Sequence, residues 1–247
     1  MLVIAGKNQC AVDVFKYIKR RYPHLDIMGI PNKDDDVNDG WQPSFKKYLL
    51  KNRYTVGSLE DCYDKEDLLF FSVEFDRIIK TEKFKSKKLF NFHFSLLPKY
   101  RGCHTNFFQL WNGERYSGVT LHEMDNSIDG GPIMSQIKYK IRKNDTAQDN
   151  YIKLMKTAVK LFKCRISDIL YDDYKSKPQN EELAGKYYGK EDADYKSLRD
   201  FKIEKYDLET HNKLRALIFP AFQYPIVDGK EVKRSLYRNG KFVCEFV

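Results

Sequence analysis

The sequence predicts an α/β fold: a mostly parallel sheet with helices on both faces, followed by a small C-terminal helix and β-hairpin region. Three observations carry this. Short apolar runs alternate with helix-period stripes through the first half, and the runs are apolar on both faces, as buried parallel strands are. The pattern then changes to alternating strands ahead of one long helical stripe. Near the end, Asp228-Gly229 and Asn239-Gly240 mark two tight hairpin turns.

Each element follows in order. Leu2 to Ala5 reads as a buried strand and Gly6-Lys7-Asn8 as the turn after it. Val12, Phe15 and Ile18 give the next segment a helical stripe that ends near Pro23. Leu25 to Ile30 is strand-like, PNKDDDVNDG (31 to 40) is a polar loop, and Pro43 opens a helix to about Lys51. Thr55-Val56 is a short strand, Leu68 to Val73 an uninterrupted apolar one, and Glu74 to Lys80 a short helix. Lys88 to Ser95 is the next strand, with Phe90, Phe92 and Phe94 on one face and Asn91, His93 and Ser95 on the other. His104 to Asn112 is helical, and Gly118 to Met124 and Pro132 to Ile141 are alternating strands at an antiparallel edge. Thr146 starts a long helix whose stripe runs through Ile152, Met155, Val159, Phe162, Ile166 and Ile169 to about Leu170. A polar, turn-rich stretch then precedes a helix over Thr210 to Ile218 and three short strands. Two regions result, 1–175 and 176–247.

Composition narrows the class of protein. A 42% hydrophobic chain with 17 Phe and 17 Tyr has ample material for a packed core, which excludes disorder. The net charge of +9 comes from lysines in mixed runs such as KTEKFKSKK, a solvated surface that also favours anionic small ligands. No dense basic stripe or RNA-module signature appears, so no nucleic acid partner is expected. Cys10, Cys62, Cys103, Cys164 and Cys244 are scattered without CxxC pairing, which reads as reduced thiols in a cytoplasmic protein and no metal. The opening apolar run is too short for a signal peptide, and no stretch is long enough to insert in a membrane.

Two clusters bear chemistry. Asn91, His93 and Ser95 share one strand face near the carboxyl end, where α/β sheets collect ligands. Three polar side chains in register there are costly unless they hydrogen-bond or work, although each alone also suits a satisfied core or turn position. The second cluster, HEMDNSIDGGPI (122 to 133), offers Asp125 and Asp129 in a turn-forming loop, and a carboxylate there can orient His93. The serine lacks a GxSxG elbow, and the histidines and cysteines lack metal-ligand spacing.

Taken together, Asn91 to Gly102, Gly118 to His122 and Asp125 to Ile133 resemble the signature of the formyltransferases that use 10-formyltetrahydrofolate. Gly130 departs from a frequent Thr of that family and Phe94 from a common Pro; neither is a catalytic position. The resemblance implies a Rossmann-like sheet over roughly residues 1 to 170 and an enzyme that transfers a formyl group through a tetrahedral oxyanion. Its catalytic residues fall on Asn91, His93 and Asp129. Asn91 then donates to the oxyanion, and His93 serves either as base toward the amine or as a second donor, with Asp129 orienting it. The folate donor is expected against Glu74, Phe75, Ile78, Leu97, Met124 and Asp125.

The acceptor is read from what differs. The tail is short for a tRNA-binding domain, and the first loop lacks the Gly/Ser-rich phosphate loop of the glycinamide ribonucleotide branch. The opening LVIAGKNQ and the stretch HNKLRALIFPAFQYP resemble the branch that formylates dTDP-4-amino-4,6-dideoxyglucose for O-antigen and lipopolysaccharide synthesis. That resemblance implies a nucleotide-linked amino sugar held by Lys7, Asn8, Arg77, Tyr100, Arg101, Gly102, Phe222 and Tyr224. A non-catalytic folate-binding module on the same fold is the rival, but such a module has no need of all three catalytic residues. Val227, Val232, Leu236 and Val243 either pack back on the protein or form a homodimer seam, and both readings stay open.

Overall fold

A computed structural model describes all residues from Met1 to Val247. The strands are β1 (Leu2–Gly6), β2 (Ile27–Pro31), β3 (Leu69–Val73), β4 (Leu89–His93), β5 (Arg101–Gly102), β6 (Tyr116–Glu123), β7 (Ile133–Lys140), β8 (Tyr187–Tyr188), β9 (Asp200–Phe201), β10 (Ile226–Val227), β11 (Lys230–Arg238) and β12 (Lys241–Phe246). The helices are α1 (Asn8–Arg21), α2 (Phe45–Lys51), α3 (Glu60–Tyr63), α4 (Thr105–Trp111), α5 (Ala147–Leu170), α6 (Tyr195–Leu198) and α7 (Leu208–Leu217). No helix is long and apolar enough to cross a membrane.

The chain divides into two compact units, neither of them a continuous stretch. One comprises Met1–His93, Val119–Ile137 and Met155–Glu181; the other comprises Phe94–Gly118, Lys138–Leu154 and Glu182–Val247. The units interleave, where composition along the chain suggested one division at 175, because β6 and α5 each run through both.

In the first unit the sheet order is β2-β1-β3-β4-β6-β7. β1 pairs in parallel with β2 and β3, and β3 with β4, while β4 meets β6 antiparallel. The chain leaves β1 toward β2 on one side and returns to β3 on the other, so the topological switch point lies between β1 and β3. One sheet face packs Val3, Ala5, Met28, Ile30, Phe70 and Leu89 with Leu59, Cys62 and Phe84. On the opposite face Phe71 stacks on Phe90 at 5.4 Å, and both Phe71 and Phe92 meet Phe162 of α5. Both faces are therefore apolar, as predicted. Gly29 lies close under α2, where a Cβ would come within 2.4 Å of a Leu49 methyl and displace it.

Several expectations change. The segment Glu74 to Lys80 forms no helix: Glu74 sits at φ +60, outside helical geometry, and the Asp76 carboxylate accepts from Lys33 N instead of capping a turn. β6 does not alternate; six of its residues in succession are buried, which means that both of its faces are covered. Thr55-Val56 contributes a single bridge to Gly29.

The second unit holds the four-stranded sheet β12-β11-β10-β9 and the parallel pair β5-β8. Asp228 and Gly229, then Asn239 and Gly240, take the positive φ that the turns joining β10, β11 and β12 require. α7 begins where the Asp207 side chain accepts from Thr210 N. Its Leu214 and Ile218 after it pack with Val227, Val232 and Phe242. Val227 and Val232 are thus core residues of this unit and unavailable to a dimer seam; Val243 remains exposed.

Candidate active site

The site is built on β4. Phe90 and Phe92 bury one face, which turns Leu89, Asn91 and His93 to the other. The antiparallel register of β6 sets His122 opposite Asn91 and Thr120 opposite His93, so the four side chains share a surface. The loop after β6 brings Asp129 over them in a left-handed conformation at φ +54.

The distances define one cluster. Asn91 Nδ2 donates to Asp129 Oδ1 at 3.2 Å, and His93 Nδ1 lies 3.4 Å from Asp129 Oδ2. Asn91 Nδ2 is also 3.1 Å from His122 Nε2, while His122 Nδ1 is 2.7 Å from the carbonyl of Glu123. A carbonyl accepts only, so His122 carries its proton on Nδ1, and its Nε2 accepts the second amide hydrogen of Asn91. Both hydrogens of Asn91 are therefore engaged, and the amide can serve a ligand oxygen by giving up one of them. The His93 and Asp129 side chains are 7% and 12% exposed, a setting of low dielectric where a carboxylate strongly orients an imidazole. With Nδ1–H turned toward Asp129, the Nε2 atom of His93 holds the lone pair suited to taking a proton.

The loop is shaped by backbone contacts. Gly131 is required because a Cβ there would lie 2.0 Å from the carbonyl oxygen of Glu123. Glu123 N donates to the Pro132 carbonyl at 2.9 Å. Gln136 Nε2 donates to Thr120 Oγ1 at 2.8 Å, which satisfies a fully buried hydroxyl.

The remaining predicted residues fall in distinct places. Lys7 and Asn8 follow β1 and Glu74 follows β3, so all three sit at the switch point, where Asn8 Nδ2 donates to Glu74 Oε2 at 3.4 Å. Asn32, at the end of β2, donates to the Glu74 carbonyl at 3.1 Å. Phe75 and Met124 pack against the same apolar cluster, and Thr81 Oγ1 donates to Asn126 at 2.6 Å, which ties the 74–81 segment to the 124–129 loop. Ile78 is 75% exposed, and Asp125 accepts from Ser127 N at 2.8 Å. The Arg77 guanidinium lies over the Phe75 ring at 4.4 Å and beside Asp76.

Others lie in the second unit. Leu97 is buried and its bond to Pro98 is cis. Tyr100 is stacked on Tyr188 and donates to Glu114 at 3.0 Å, and Ser95 is tied to the Lys99 carbonyl at 2.7 Å. Arg101 and Gly102 pair with Tyr187 and Tyr188, and a Cβ on Gly102 would meet the Tyr188 carbonyl at 2.1 Å. Tyr224 packs at the margin of the α7 cluster, whereas Phe222 is 71% exposed.

Two residues beside the cluster carry no local signal in the sequence. His122 belongs to HEMDNSIDGGPI, but its place beside Asn91 depends on an antiparallel register that no local pattern reveals. Gln179 donates from Nε2 to the carbonyls of Asp129 (2.7 Å) and Gly131 (2.8 Å), across about fifty residues of chain.

Residues 60–166, which carry Asn91, His93 and Asp129, match the formyl transferase family. A methionyl-tRNA formyltransferase of Mycoplasmopsis pulmonis is 29% identical over 99% of this chain and 88% of its own. The structure superposes on WlaRD, a sugar 3N-formyltransferase solved with dTDP and 5-N-formyl-THF, with TM-score 0.94 and 36% identity, covering 100% of this chain and 97% of that one. It superposes on a Helicobacter canadensis N-formyltransferase, solved with folinic acid and dTDP-3-aminofucose, with TM-score 0.89 and 40% identity over 95% and 87% of the two chains. The chain belongs to the formyltransferase family and is an enzyme of formyl transfer, close in structure to the sugar N-formyltransferases.

Proposed function

We propose that this enzyme transfers a formyl group from 10-formyltetrahydrofolate to the amino group of a dTDP-linked amino sugar. The observation that carries the reading is the Asn91–His93–Asp129 cluster at the carboxyl end of β4. The folate is proposed to lie beside half-buried Phe75 and Met124 and exposed Ile78, on two segments that the Thr81–Asn126 hydrogen bond ties together. The donor supplies an electrophilic formyl carbon and a nitrogen leaving group.

The chain's own residues supply the rest. As the acceptor amine attacks, its nitrogen must lose a proton, and His93 Nε2 takes it. Asp129 holds the ring in that tautomer and stabilises the charge it gains. The formyl oxygen becomes negative during attack, and Asn91 meets it by exchanging one of its two internal acceptors for that oxygen. The same proton on His93 then goes to the departing nitrogen, so the ring returns to its starting state.

The sequence resemblance points to a 4-amino sugar. The two solved relatives at 36% and 40% identity, described as a sugar 3N-formyltransferase and as a complex with dTDP-3-aminofucose, favour the 3-amine as the first acceptor to test. Lys7 and Asn8 at the switch point are the residues proposed to meet the acceptor's polar groups. The experiment is an incubation with 10-formyltetrahydrofolate and dTDP-3-amino, dTDP-4-amino and UDP-amino sugars, with methionyl-tRNA as a further arm. Mass spectrometry is expected to find a formylated dTDP-3-amino sugar. Turnover of methionyl-tRNA with none of any amino sugar would overturn the reading.

A further inference from the structure

The segment after α5 returns to the loop that bears Asp129. Ile133 N donates to the Lys177 carbonyl at 2.8 Å and Lys177 N to the Ile133 carbonyl at 2.9 Å, an antiparallel bridge at the loop's exit. Ser176 Oγ donates to the Glu123 carboxylate at the loop's entrance. Two residues beyond the bridge, Gln179 Nε2 reaches the carbonyls of Asp129 and Gly131 at 2.7 and 2.8 Å. The strap thus holds the entrance, the exit and the turn itself.

We propose that Gln179 is a positioning residue for the Asp129 carboxylate, its two amide hydrogens fixing the carbonyls on either side of Gly130 and thereby the direction in which Asp129 meets His93 and Asn91. The proposal rests on the reading of Asp129 as the residue that orients His93. Its physical basis is the backbone at Asp129. Asp tolerates the left-handed region better than most non-glycine residues, but a φ of +54 still costs it more than the right-handed region, so the contacts of the loop help to hold it there. Relaxation toward negative φ would swing the Asp129 carbonyl away from Gln179 and the carboxylate away from contacts of 3.2 and 3.4 Å. At Gly131 the loop already touches the Glu123 carbonyl, so it cannot yield toward the sheet. A two-hydrogen donor spanning both carbonyls is what this geometry calls for, and among neutral side chains of that length glutamine supplies it.

The test compares Gln179→Met, of similar length without donors, and Gln179→Glu, an isosteric acceptor, with Asp129→Asn, all as full-length protein. The assay is steady-state formyl transfer from 10-formyltetrahydrofolate to the preferred dTDP-amino sugar. Both Gln179 variants are expected to lose on the order of 10-fold to 100-fold in kcat, the scale of a misplaced catalytic group, with KM for both substrates and the melting temperature unchanged. Wild-type kcat in the Gln179 variants, with Asp129→Asn inactive, overturns the clamp and leaves the site reading intact. A loss of fold in both variants, or a rise in KM with kcat unchanged, assigns Gln179 to structure or binding and overturns it too. Full activity in Asp129→Asn removes the site reading and the clamp with it.

Discussion

His211 gives the sharpest stability prediction. It is fully buried in α7, with Nε2 at 2.8 Å from the Lys143 carbonyl and Nδ1 at 2.8 Å from Ser235 Oγ. The neutral ring satisfies both partners: Nε2–H donates to the carbonyl and Nδ1 accepts from the hydroxyl. Burial, reinforced by the nearby Arg215 and Lys143 charges and opposed by the hydrogen bond to Lys143, lowers its pKa from 6.5 to about 4. The folded value lies below the unfolded one, so the stabilisation is complete above the unfolded value and is lost as pH falls through it toward the folded value. The whole effect amounts to about 3 kcal/mol, and about 2 kcal/mol of it is lost by pH about 5. Urea unfolding followed by circular dichroism at pH 7 and pH 5 measures it, with His211→Gln as the reference that keeps a donor and an acceptor and does not titrate. Wild-type stability should fall by about 2 kcal/mol more than the variant's over that interval. Equal pH slopes in the two proteins would refute the assignment of a neutral, buried His211.

Other expected outcomes test the site and its surroundings. Gly131→Ala forces a Cβ to within 2.0 Å of the Glu123 carbonyl, so the Asp129 loop shifts and kcat falls on the order of 100-fold in steady-state assays. His122→Leu leaves one Asn91 hydrogen and the Glu123 carbonyl unmatched, and kcat should drop on the order of 10-fold. Arg215→Met strips donors from the carbonyls of Arg142 and Asp145 and from Asn212, and denaturant unfolding should register a loss of about 3 kcal/mol. Phe222→Ala removes a ring that is 71% exposed, and thermal or urea unfolding should show stability changed by less than about 0.5 kcal/mol.

Much of this was legible because local patterns carry it. The buried strands show as apolar runs, the two hairpins as Asp-Gly and Asn-Gly, and the polar face of β4 as Asn91 and His93 at period two. What failed depends on tertiary partners. Glu74 to Lys80 has a helix-compatible composition, but the left-handed Glu74 at the sheet's end redirects the chain. For Val227 and Val232 the hairpin pattern leaves packing and a dimer seam both open, and only the packing of α7 on them decides it. The pairing of β5 with β8 joins two dipeptides 86 residues apart and leaves no periodicity to read. His122 and Gln179 reach the site through strand register and a long return of the chain. Neither is a property of neighbouring residues.

The central claim is that Asn91, His93 and Asp129 act together in formyl transfer. A single-turnover measurement with enzyme in excess over 10-formyltetrahydrofolate, comparing wild type with Asp129→Asn, tests it most directly. Wild type should transfer the formyl group to the dTDP-amino sugar, and Asp129→Asn should bind the folate equally while transferring it at least about 100-fold more slowly. Transfer by Asp129→Asn at a rate near wild type would contradict the account.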